Sequence, residues 1–194
     1  KGAIWEYLMT LANSNYEDWR LANPNEDIDN FKFSFSKMSK AGALFDMVKL
    51  ADVSKNYICR LSAEEVYEMV TDWAKENNKK LYKLLVDDEE YAKAIFAIER
   101  GNAKPRKDIS AWTDVENYVS YFYSELWDRK FDFPDNLSND DMIEILELYK
   151  QIYDENVSSD DWFPQVRDMA ETIGYAKAPK VYKKDPDSYK GHVG

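Results

Sequence analysis

The stretch LSAEEVYEMVTDWAKENN, residues 61–78, decides the fold class. Ser62 is followed three positions later by Glu65, the spacing at which a hydroxyl and a carboxylate each satisfy an orphan backbone N–H at a helix start. Val66, Met69, Val70 and Trp73 then recur at steps of three and four, which makes one face of a 3.6-residue helix apolar. The pattern predicts an amphipathic helix running from Ser62 to the Asn77-Asn78 pair.

Working outward, the same signals recur downstream. Asp87 or Asp88 can cap a second helix with Tyr91, Ala94, Ile95 and Ile98 inward and Gly101 just past its end. Thr113 with Glu116 opens a third, carrying Val115, Tyr118, Val119, Phe122 and Leu126, and Ser138 with Asp141 opens a fourth through Ile145, Leu146, Tyr149 and Ile152. A fifth starts at Asp160 or Asp161, because Pro164 lacks an N–H and is tolerated in a first turn. Phe163, Val166, Ala170 and Ile173 line it, and Gly174 ends it. Upstream, residues 3–12 read as helix and the Asn13 to Asn30 stretch as a loop. Phe31, Phe33 and Phe35 alternate with polar residues at the strand period of two. The expected fold is all-α, a series of small helical bundles with at most one short extended segment near residues 31–36.

Composition bounds what such a chain can do. Its 194 residues are 44% hydrophobic and 15% aromatic, enough for one substantial core or two small ones and far from a disordered composition. Lysine and arginine total 26 against 37 acidic residues, a formal charge of -11, which taken alone opposes a polyanionic partner at long range. The single cysteine, Cys59, excludes an internal disulfide framework, and no apolar run approaches the roughly 20 residues that span a bilayer. With no secretory segment at its start, the chain is expected in the cytoplasm. Lys1 and the closing Gly-His-Val-Gly carry no start or stop signal, so both ends are expected to be cut from something longer.

Four features could carry chemistry. Lys37-Met38-Ser39-Lys40 nearly matches the lysine loop that holds ATP phosphates in class I aminoacyl-tRNA synthetases, and an intact-enzyme reading would have Lys37 and Lys40 bind ATP. Only 36 residues precede it, too few for a doubly wound nucleotide domain, so a solvated turn ahead of a helix through Leu44, Phe45, Val48 and Leu50 is the better reading. His192 and Cys59, each alone, cannot make a zinc site of nitrogen and sulfur ligands, and Cys59 reads as a small buried residue. The acidic stretch DENVSSDD, 154–161, lacks the central glycine and final glutamate of an EF-hand loop and reads as helix capping. Basic clusters remain. Arg100, Lys104, Arg106 and Lys107 crowd into ERGNAKPRKD, and Lys177, Lys180, Lys183, Lys184 and Lys190 interleave with Tyr175, Tyr182 and Tyr189. Cations beside aromatic rings suit a phosphate backbone with unstacked bases, although surface lysines are also ordinary.

An ordered series of segments resembles the bacterial glutamyl-tRNA synthetases of the clostridial type. In chain order the segments are SKAGALFDMVKLADVSKNYI, LSAEEVYEMV, YAKAIFAIERGNAKPRKDISAW, VENYVSYFYSELW, WFPQVRDMAETIGYA and YKGHV. The resemblance covers essentially the whole chain and places it in the C-terminal half of that family. It implies that the ATP loop lies upstream and that the Lys-Met-Ser-Lys match is an echo. It implies further that residues 1–107 form a stem-contact region and 108–194 an anticodon-binding helical domain truncated at its end. The parent would join glutamate to its tRNA with ATP and magnesium; this portion would hold no cofactor and no catalytic residue. The expected partner is glutamate tRNA, bound by a monomer with no DNA or membrane partner. Arg100, Lys104, Arg106 and Lys107 are the expected backbone contacts, with Lys183, Lys184 and Lys190 beside them. A helical protein-interaction module without RNA is the rival reading, favoured by the net charge.

Overall fold

A computed structural model describes residues 1–38, 44–128, 130 and 137–193. Lys40 of the Lys-Met-Ser-Lys match, and the stretch 39–43 around it, lie outside the described residues. The fold is all-α, with one parallel pair of two-residue strands among the described residues, Tyr175–Ala176 (β1) and Gly191–His192 (β2). The chain packs as two compact units, Lys1–Arg129 and Lys130–Gly194. Residues 109–123 belong to the first by packing, since Ile109, Val115, Val119 and Tyr123 are buried in its core. The functional division expected at Lys107 concerns which part of an RNA each portion faces, and is a separate matter.

In the first unit, α1 (Gly2–Ala12) lies against α3 (Met47–Ile58), so close at its start that the ring of Tyr57 fills the space a Cβ on residue 2 would need. Between them in the chain, α2 (Tyr16–Ala22) occupies what the sequence presents as loop. It is fastened by charge as much as by burial. Glu6, 5% exposed, accepts from Tyr16 Oη at 2.6 Å and from Arg20 Nε at 3.0 Å, and pairs with Arg60 Nη2 at 3.1 Å. A buried carboxylate survives only with such partners, since desolvation alone would cost several kcal/mol. The helix expected from Leu44 begins at Met47 instead, because Asp46 caps it by accepting from the N–H groups of Val48 and Lys49. Leu44 and Phe45 precede that cap. Residues 31–36 form no strand: Phe31 and Ser34 are extended, and Phe35–Lys37 is a turn of 3-10 helix.

The core of this unit is built by α4 (Ala63–Asn77), α5 (Lys79–Asp87), α6 (Glu89–Ala97) and α7 (Val115–Val119). The Ser62–Glu65 capping box forms, with Glu65 N–H donating to Ser62 Oγ at 3.1 Å and Ser62 N–H to Glu65 Oε2 at 2.7 Å. Val66 and Val70 are fully buried as expected, while Met69 is exposed. Helix α5 is an addition to the expected elements; Asn78 ends α4 and its side chain caps α5 by accepting from Leu81 N–H. Leu81 and Leu85, one helical turn apart, are fully buried, each contributing about 1.5–3 kcal/mol by its removal from water. Asp88 caps α6, but its inward residues are Ala92, Ile95 and Phe96 while Tyr91, Ala94 and Ile98 are exposed, a shift of the face by about one residue. Helix α7 stops at Val119, and turns carry the chain onward so that Tyr123 is buried while Phe122 is exposed.

In the second unit, α8 (Asn139–Ile152) opens with the expected capping box from Ser138 and Asp141. Helix α9 (Ser159–Thr172) starts slightly earlier than expected, because Ser158 caps it by accepting from Asp161 N–H; Pro164 therefore falls in its second turn. Gly174 ends it with φ +91°, donating its N–H to Glu171 O at 3.1 Å. The helix α10 (Pro179–Tyr182) then joins β1 to β2, and Lys190 N–H returns to Gly174 O at 2.8 Å.

Candidate nucleic-acid interface

The basic turn between α6 and α7 is shaped by its own backbone. Helix α6 ends at Ala97, and Glu99 and Gly101 both take positive φ, +52° and +75°, reversing the chain so that residues 102–108 run along the surface. Ile109 and then Val115 anchor the far side in the core. This brings Arg100, Arg106 and Lys107 to one small cleft, together with Lys55 from α3, Glu99, Asp108 and the ring of Tyr118. The cleft holds about 10 Å³, room for about one water, so it could receive a single oxygen atom rather than a small molecule.

The members of the cluster play unequal parts. Arg100 forms the floor: Nε donates to Phe96 O at 2.8 Å, and Nη1 to Ile58 O at 2.7 Å and Leu61 O at 3.0 Å. Burial lowers its pKa from the ordinary value, yet an arginine stays a cation at any physiological pH. Arg106 is exposed and donates to Asp108 Oδ2 at 2.6 Å, with Glu99 Oε2 at 3.6 Å; the Asp108 hydrogen bond raises its pKa. Lys104 and Lys107 are exposed and make no ion pair among the described residues. Lys104 lies outside the cleft. Lys55 was missed by sequence reasoning, since it is 45 residues upstream of Arg100 and only the packing of α3 brings it near.

The second cluster lies in the second unit. Lys183 and Lys184, just past α10, are exposed. Lys190 is engaged by acids of α8, its ammonium 3.7 Å from Asp141 Oδ1 and 3.6 Å from Glu144 Oε2. Lys177 pairs likewise with Asp168 and Glu171. Elsewhere, Lys37 closes a 3-10 turn, and its carbonyl accepts from Ser14 N–H. Cys59 is buried, its thiol against Asn56 O at 3.3 Å. His192 lies beside the ring of Tyr182. No helix among the described residues is long and apolar enough to cross a membrane.

This all-α chain, with cations gathered at surface turns, is similar in sequence to aminoacyl-tRNA synthetases. Its relatives are glutamate–tRNA ligases: the chain is 43% identical over 192 residues to that of Acetivibrio thermocellus, covering 99% of this chain and 35% of the relative. It is 41% identical over 195 residues to the Clostridium perfringens ligase (98% and 36%) and 43% identical over 191 residues to that of Sorangium cellulosum (97% and 34%). The resemblance read in the sequence therefore holds across nearly the whole chain. The chain spans about a third of the length of these curated relatives. No family model matches it, and no solved structure does.

Proposed function

We propose that the chain is a tRNA-binding portion from the C-terminal half of a glutamate–tRNA ligase, one that positions its substrate and performs no chemistry. The observation that carries this is identity above 40% sustained over nearly all of the chain to ligases of that name, two-thirds of whose length lies outside the match. In this reading glutamate, ATP and magnesium act in that remainder, and the chain works as a monomer in the cytoplasm. Docking a long substrate at a distance supplies orientation at the reacting centre, which is a legitimate share of catalysis.

The stem-contact role falls to residues up to about Lys107 and the anticodon arm to those beyond. Lys104, Arg106 and Lys107 contact backbone phosphates, while Arg100 adds its charge from the floor of the cleft. Lys183 and Lys184 are available in the second unit, and Lys190 joins them by exchanging its acidic partners for a phosphate. Such contacts position without specifying sequence.

Gel shifts with glutamate tRNA and a non-cognate tRNA over rising salt test the proposal. Binding is expected to be weak, to prefer the cognate tRNA and to fall steeply with salt. Replacing Arg106 and Lys107 together by alanine is expected to lower the slope of log K against log salt by about 1–2, one released counterion for each lost phosphate contact. An unchanged slope would remove these two residues from the interface. No binding even at low salt would favour the protein-interaction reading.

A further inference from the structure

On the opposite side of α7 from the basic turn, the C-terminal end of α4 and the segment from Thr113 onward enclose an open cleft of about 790 Å³, lined by Trp73, Asn77, Asn117, Ser120, Tyr121 and Trp127 among others. We infer that this cleft receives an unstacked nucleobase from a single-stranded stretch of the bound RNA. The inference rests on the RNA-binding reading above and adds a site to it.

Its size falls in the range of small-ligand sites, about 300–1,000 Å³. Trp73, Tyr121 and Trp127 carry flat aromatic rings, and that of Tyr121 is 77% exposed. A base stacks on such platforms whatever its identity, because every base has a π face. Other lining groups can meet a base edge. The Asn117 carboxamide and the Tyr121 hydroxyl make no hydrogen bond among the described residues, and Asn77 donates its amide to Trp73 O while keeping its own side-chain oxygen as an acceptor.

Charge distinguishes base from backbone. Glu116 also lines the cleft, and a carboxylate there repels a phosphate but not a neutral base. Phosphate has its place across the helix, where Tyr118 closes the cleft holding Arg100, Arg106 and Lys107. Residues 116, 117 and 120 of the same stretch face the aromatic side. A helix with its side chains is about 10–12 Å wide, so one strand could lay phosphates along the basic turn and turn a neighbouring base into the aromatic cleft.

The test titrates the chain with a short RNA hairpin bearing an unpaired loop and with a fully paired duplex of equal length, at several salt concentrations. The readouts are anisotropy of labelled RNA and the fluorescence of the chain's own tryptophans. The hairpin is expected to quench fluorescence and the duplex not to. Tyr121→Ala and Asn117→Ala, neither of them in the buried core, are expected to weaken hairpin binding, the tyrosine change by about tenfold, with the salt slope unaltered because no phosphate contact is lost. Hairpin binding by these variants equal to the parent's, or equal quenching by the duplex, would overturn the cleft while leaving RNA binding intact. Failure of the parent to bind either RNA would overturn the underlying reading instead.

Discussion

Arg100 shows how a residue chosen for its charge can be held by its hydrogen bonds. Its guanidinium ties the last turn of α6 to the carbonyls of Ile58 and Leu61, the junction between α3 and α4, and so sets where the basic turn emerges. Arg100→Ala would remove three hydrogen bonds in a half-buried site, leaving the Ile58 carbonyl only the N–H of Leu61, and is expected to cost about 2–3 kcal/mol in urea unfolding. Arg100→Lys cannot restore three donors in a planar fork and should recover little of it. A loss below about 0.5 kcal/mol would show that the clamp is dispensable, since ordinary surface substitutions stay within that range. The sequence displays the positive charge of this residue and of Arg106 and Lys107 equally. It cannot display that one faces inward, because the two carbonyls it bonds lie about 40 residues away in the chain.

Among the elements, those announced by local chemistry are legible in the sequence and those made by tertiary partners are not. The Ser62–Glu65 and Ser138–Asp141 boxes mark the starts of α4 and α8 because each is complete within four residues. Helix α5 is hidden because Asn78 serves as the end of one helix and the cap of the next, where two asparagines read as a stop. Helix α2 sits among asparagines and acids that favour turns, and is held by a network that spans the N-terminal elements. That network makes a prediction at this scale. Burial, reinforced by the Glu6 hydrogen bond, pushes the Tyr16 phenol up to about 12 from an ordinary value near 10. The folded state therefore holds this proton more tightly than the unfolded chain, so the stabilisation is complete below about pH 10 and is lost as pH rises toward about 12. Stability should fall there by up to about 1.4 kcal/mol per pH unit for this one group. Buried Tyr123, also raised to about 12, adds to the fall in the same window. Urea unfolding at about pH 9, 10 and 11 should show a shallower decline for Tyr16→Phe than for the parent. Identical slopes would mean that Tyr16 titrates alike in both states.

For the molecule as a whole, the formal charge of -11 opposes RNA, yet a binding surface needs only a local field within a Debye length, about 8 Å at physiological salt. Helix starts carry much of the acid, as at Asp140-Asp141, Asp160-Asp161 and Glu89-Glu90. There it complements the helix dipoles and leaves the turn at 104–107 positive. The all-α class is legible because it depends on periodicity summed over many residues. The aromatic cleft is not, for it joins the end of one helix to turns some 40 residues later, and Trp73 reads only as part of an apolar helix face. The most direct measurement of the central claim is a nuclease footprint of glutamate tRNA in the presence of the purified chain. Protection along the inside of the bend and on the anticodon arm, with the 3′ end left open, is the predicted result. Protection confined to the 3′ end, or no protection at concentrations that saturate a full-length ligase, would contradict it.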